Sequence, residues 1–262
     1  MPSSAAEALP EERLPAAHAV VAEFTLTPKT GAAIVAATPA ALEAGKYRVL
    51  RTAEVDEYDT PVPLAQIGAL TALRAAPADN DFTGTARAAA KLSIANAPTE
   101  TFGDLKDLID TLPKHNAMKN HPDISVDEDN DRVPEERRNT KVTAFLYAAS
   151  MEGDNDFHLI IGRDPSKSEK YMTAEISGLP PNGAASFATL KSARDSYLQF
   201  FADGLPGTTY DFYDPPIPIE VTGSLFFDFS HAKGSRPGPQ TLRPRMPVVW
   251  EIHPITKIVF EP

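Results

Sequence analysis

The chain has 262 residues, enough for one large domain or two small ones with a buried core. A net charge of −11 argues against a molecule that coats nucleic acid or binds anionic membranes with its whole surface. The absence of cysteine excludes disulfides and thiolate zinc sites, so any transition metal must be held by His and carboxylates.

The 25 prolines are about twice average usage and predict long irregular stretches. The opening MPSSAAEALPEERLPAAHAVVAEF has no basic leader, and its apolar runs are broken by Pro, Glu and His. No signal peptide is expected, no run approaches the ~18 apolar residues of a membrane span, and the chain reads as a soluble, cytoplasmic protein with no membrane partner.

Residues 1–60 form an Ala/Pro-rich arm of weak periodicity, in which KYRVLRTAEV alternates as a strand does. An arm so poor in its own core suggests docking on a neighbour, hence a homo-oligomer. Residues 61–113 read as a helical region containing LAQIGALTALRAA, DFTGTARAAAKLSIANA and TETFGDLKDLIDTLP. In the third segment Phe102, Leu105, Leu108, Ile109 and Leu112 recur at helical spacing, with Thr101 as expected N-cap and Pro113 as stop. Residues 114–139 are polar and acidic and read as a linker. Asp127, Asp129 and Asp131 imitate the start of a calcium loop, but Arg132 and Arg138 stand where Gly and Glu are needed.

Residues 140–262 carry the sharpest signals. TKVTAFLYAA is apolar on both faces; after the polar turn MEGDND, DFHLIIGRD sets Phe157, Leu159 and Ile161 on one face and His158 and Ile160 on the other. KYMTAEIS is a third strand. SFATLKSARDSYLQFFA is an amphipathic helix behind Ser186, and IPIEVTGSLFFDF and VVWEIHPITKIVF are the fourth and fifth strands, with Gly223 as an expected bulge. Three strands, a helix and two strands is the element order of the OB-fold, so the expected fold class is α+β with an OB-like five-stranded β-barrel.

Two groups of residues carry chemistry. The connection from His231 to Pro247 holds Lys233, Arg236, Arg243 and Arg245 and no acidic residue; with Trp250 nearby it reads as a surface for an anionic ligand, a nucleic acid or a protein partner. The second group is Asp156 with His158, Asp228 with His231, and Glu251 with His253. Residues two apart on a strand project the same way, and His231, three beyond Asp228 and just past the end of its strand, can turn back; brought together from neighbouring strands, these pairs could hold a divalent metal that activates water. The same pairs also fit ordinary hydrogen bonding at strand ends.

FFDFSH (Phe226–His231) and WEIHPI (Trp250–Ile255), with DNDFHLII upstream, resemble a group of functionally uncharacterised bacterial proteins that carry FFD-x-x-H and, after a loop, E-[IL]-H-P. The likeness spans about residues 141–260 and implies no activity. Many members read H-G-Q after the first motif, where this chain has His231-Ala232-Lys233. Two readings stay open: a non-catalytic binding or assembly module using the barrel face and the Arg-rich loop, and a metal-dependent hydrolase, nuclease- or phosphoesterase-like.

Overall fold

The computed structural model describes residues 20–28, 47–55, 81–234 and 236–262. Most of the expected arm and the first expected helix, 64–76, lie outside the described residues. The architecture is α+β and mostly sheet, with eight strands in one sheet that closes into a ring. Among the described residues no helix is long and apolar enough to cross a membrane.

Strands β1 (Val20–Leu26) and β2 (Tyr47–Thr52) pair antiparallel, and the four-residue β3 (Thr99–Phe102) forms the far edge of the sheet. The ring itself consists of β4 (Asn139–Met151), β5 (Phe157–Gly162), β6 (Tyr171–Ile176), β7 (Asp211–Phe227) and β8 (Trp250–Phe260). β5 is antiparallel to β4 and β6, β6 runs parallel to β8, β8 is antiparallel to β7, and β7 returns antiparallel to β4. At 17 residues β7 is long enough to pair with β4 and β8 and still carry β2 on its N-terminal end.

Alternation decides which side chains fill the ring. Phe157, Leu159 and Ile161 of β5, Met172, Ala174 and Ile176 of β6, and Ile219, Val221, Leu225 and Phe227 of β7 join one core, leaving His158, Thr173 and Glu175 to face the other way. The bulge expected at Gly223 is present, and a Cβ there would meet the Pro254 carbonyl at 2.4 Å. The helix between β6 and β7, Phe187–Phe201, packs Tyr197, Phe200 and Phe201 against β8, with Phe200 stacked on Phe260 at 3.9 Å. Burying each such ring contributes on the order of 2 kcal/mol. Ser186 precedes this helix as expected, but its hydroxyl donates to the Leu92 carbonyl rather than capping.

The region expected to be helical, as far as it is described, holds only short helices: α1 (Ala88–Lys91) and α2 (Leu105–Ile109). Thr101 is not a cap, because Thr99–Phe102 pairs parallel with Asn139–Val142 as β3; Asp104 caps α2 instead, accepting from Lys106 N at 2.9 Å. Residues 114–139, read from their polarity as a linker, form α3 (His115–Lys119) and a 3-10 turn, and bury Met118, Ile124 and Val133 in the main core. Their charge misleads because part of it is internal. Arg87 makes a bidentate pair with Glu136 at 2.7 and 2.7 Å, and Glu136 also accepts from the Val133 and Phe227 amides. Arg132 donates to the carbonyls of Leu225, Ala90, Ser93 and His253. These contacts clamp residues 87–136 onto the end of β7 and β8.

Candidate metal centre

β5 and β6 set the first two groups. In their antiparallel register His158 stands directly opposite Glu175, on the face turned away from the core, which brings the two Cβ atoms within ~5 Å. β8 lies on the other side of β6, in parallel, with Thr173 beside Glu251. Glu175 therefore faces a histidine on each flank, and His253 Nδ1 comes to 2.8 Å of Glu175 Oε2 and 3.5 Å of Glu251 Oε2.

The turn after β4 supplies three more carboxylates. Glu152 N donates to Asp156 O at 2.9 Å and Asn155 takes a left-handed φ of 78°, curling Glu152, Asp154 and Asp156 toward one end of the ring. Glu152 Oε1 contacts His158 Nδ1 at 2.5 Å. Asp156 Oδ1 accepts from Gly178 N at 2.6 Å, and its Oδ2 lies 3.4 Å from His253 Nε2. Gly178 must be glycine, since a Cβ would fall 2.7 Å from the Phe82 backbone.

α1 delivers Lys91 from the opposite wall, with Nζ 3.3 Å from Asp154 Oδ2 and 4.0 Å from Glu175 Oε2. Just past β7, Asp228 Oδ1 accepts from Ser230 N at 2.8 Å and Oδ2 lies 3.3 Å from His231 Nε2. Lys91, Glu152, Glu175, Asp228, His231 and Glu251 are among the residues that line a cavity of ≈ 300 Å³.

The six residues read as metal ligands, Asp156, His158, Asp228, His231, Glu251 and His253, thus gather at one end of the ring. Four others join them that the pattern of paired residues did not nominate: Lys91, Glu152, Asp154 and Glu175. The available signal for Glu175 was an acid in a strand buried along its whole length. Two groups of three bring one ligand atom from each member within 4.8 Å of the others: Glu152, His158 and Glu175, and Asp156, Glu175 and His253. Asp156 Oδ2 and His253 Nε2 are buried without a hydrogen-bond partner, whereas His253 Nδ1 and Glu175 Oε2 meet at 2.8 Å as an ion pair.

Crowding and burial perturb six of these groups. Burial, with Asp154 and Glu175 nearby, pushes Asp156 well above the usual carboxylate range, and burial with Glu175 and Asp228 does the same to Glu251. Burial raises Glu152 to about 7 against the pull of His158. Burial acts to neutralise Lys91, but Glu175, Asp154, Asp156 and Glu152 outweigh it and hold the ammonium well above its ordinary value. Burial lowers His253, whereas for Glu175 it is outweighed by His253 and Lys91, so that Glu175 lies well below its ordinary value. We assign the charge of that pair to Glu175, because Lys91 stabilises the carboxylate even beside a neutral imidazole, the form in which histidine ligates metal.

The basic loop is arranged differently. Arg243 donates to the Gly238 carbonyl at 3.1 and 2.6 Å and Arg245 pairs with Glu169 at 2.5 Å, while Leu242 and Met246 pack with Ile160, Tyr171 and Phe212 in a second apolar cluster. Arg236 is half-buried, and the side chain of Lys233 lies outside the described residues. Trp250 is buried, its indole donating to the Pro113 carbonyl at 3.1 Å and its ring edge-on to Phe227, which leaves no face for stacking a ligand.

Comparison with protein-family models, with curated proteins and with solved structures finds no match, so the site is read from its own geometry.

Proposed function

We propose that this chain is a metal-dependent hydrolase of phosphate esters, nuclease- or phosphoesterase-like, built on an OB-like barrel. The ring order β4-β5-β6-β8-β7, the parallel β6–β8 contact and the helix between the third and fourth ring strands support that fold reading. OB-folds bind oligonucleotides and oligosaccharides on the face of their second and third strands, between the connections of strands one to two and four to five. Here those parts correspond to β5, β6, residues 152–156 and the stretch that begins at Asp228, where the cluster lies.

One observation carries the reading: buried carboxylate and imidazole atoms lacking hydrogen-bond partners converge beside an open cavity. Leaving such atoms unpaired costs about 1–3 kcal/mol each, and more for charged groups, a cost that a cation removes. A divalent ion there would supply Lewis-acid activation of water. Glu152, Asp156, His158, Glu175 and His253 are the residues that would hold metal there. Lys91, protonated on the cavity wall, attracts a phosphoryl oxygen, and Asp228 orients His231 as the general acid–base.

Protein purified without tag or chelator should carry a stoichiometric divalent ion and, with Mn²⁺, hydrolyse bis(p-nitrophenyl) phosphate. His231→Asn should keep the metal and lose about 10²–10⁴-fold in kcat. A protein that binds no metal and shows no Mn²⁺-dependent turnover sinks the hydrolase and puts the binding-module reading ahead.

A further inference from the structure

We infer that the centre holds two divalent cations that share Glu175, one facing the cavity on Glu152 and His158 and one sealed beneath it on Asp156 and His253. The inference rests on the hydrolase reading and deepens it. β6 lies between β5 and β8, so a carboxylate on its outward face is the one group that can reach the histidine of each neighbour. The two triads differ in access: Glu152, His158 and Glu175 line the cavity, whereas the Asp156 and His253 side chains have no exposure at all. Closed sites hold a metal for structure and open ones leave a position for water or substrate.

Charge points the same way. Among the described residues Glu152, Asp154, Glu175, Asp228 and Glu251 line the cavity and Asp156 lies beneath it, against two cations, Lys91 on the wall and Arg194 beside Asp156. Fully ionised, as bound cations would make them, the six carboxylates outnumber those two cations by four charges; one divalent ion leaves two, and two leave none. Like charges packed this closely repel strongly even in a polarisable interior, so a single ion leaves a large residual penalty. A pair of cations roughly 3.5–4 Å apart is also the arrangement that clamps the attacking and leaving oxygens of a phosphate ester.

The test is a count of Mn²⁺ on the full chain after equilibration and gel filtration, with the EPR spectrum of the same samples. Wild type should hold about two ions per chain and give an exchange-coupled signal. His158→Ala and His253→Ala should each keep one ion and lose the coupling, and Glu175→Gln should release both. Circular dichroism and thermal melts establish that each variant is folded; if His253→Ala is not, Asp156→Asn reports on the sealed site. One ion in wild type, lost alike in both histidine variants, overturns the two-cation centre and leaves the hydrolase standing. Two ions with coupling that survives Glu175→Gln overturns the sharing. No ion in wild type overturns both proposals.

Discussion

Two buried charged regions lie side by side at one end of the ring, and they are built on opposite rules. In the clamp every guanidinium nitrogen of Arg87 and Arg132 has an acceptor, and both oxygens of Glu136 have donors. In the neighbouring cluster carboxylates outnumber cations and ligand atoms are left unpaired. The two regions touch, since Arg132 Nη2 donates to the backbone carbonyl of His253 at 2.8 Å. Satisfied burial fixes a shape; the unsatisfied burial held in that shape is what the proposed metal would relieve.

The largest expected effect tests the first half of that contrast. Glu136→Ala removes the partner of Arg87 and the acceptor of two buried amides, and should destabilise by about 3–5 kcal/mol in urea unfolding, because it leaves an uncompensated charge inside. A loss below about 1 kcal/mol would mean that the clamp is not structural, and the contrast would fail.

The second effect has the opposite sign. Burial, with the Glu175 and Asp228 carboxylates nearby, pushes the Glu251 carboxyl up, so the folded state holds its proton to higher pH than the unfolded chain does. In chelator, stability therefore falls as pH rises above the unfolded value of ~4.3 toward the raised folded one. Glu251→Gln should lose that slope and be more stable than wild type at pH 7 by about 1 kcal/mol while binding metal less tightly. Melting curves in EDTA across pH 4–8 read this directly; a variant less stable than wild type at every pH would show that Glu251 serves the fold.

Much of the ring was legible because period-two alternation and turn residues are local. The strand at KYRVLRTAEV, the five ring strands, the helix behind Ser186 and the bulge at Gly223 all follow from spacing within a dozen residues. The Glu251–His253 pair was legible for the same reason, two residues on one strand sharing a face, while Asp156 stands in the turn that leads into the strand of His158. Glu175 was not, because its meaning lies in what stands opposite it on β5 and beside it on β8, and register between strands is a long-range property. Lys91 was hidden in a helix of four residues, and the clamp in a polar stretch whose Arg132 and Glu136 are charged yet buried.

A third kind of ion pair, at the protein's edge, gives the smallest effect and separates charge from geometry. Asp104 caps α2 and accepts from Arg163 at 2.8 and 3.0 Å and from Lys167 at 2.7 Å, joining α2 to the connection between β5 and β6. The Arg163 guanidinium, with Lys167, holds the carboxyl well below its usual range despite some opposing burial. A depressed carboxylate stabilises the fold fully above its unfolded value of ~3.9 and loses that contribution as pH falls through the folded value. Asp104→Asn keeps a capping oxygen and removes the charge, so it should cost under about 1 kcal/mol at pH 7, whereas Asp104→Ala loses the cap as well and should cost about 1 kcal/mol more. Near pH 2 and in high salt the Asn variant should approach wild type while the Ala variant stays below it. An Asn variant that remains equally destabilised under both conditions would locate the role of Asp104 in its shape rather than its charge, and would set it with the clamp instead of between the two buried regions.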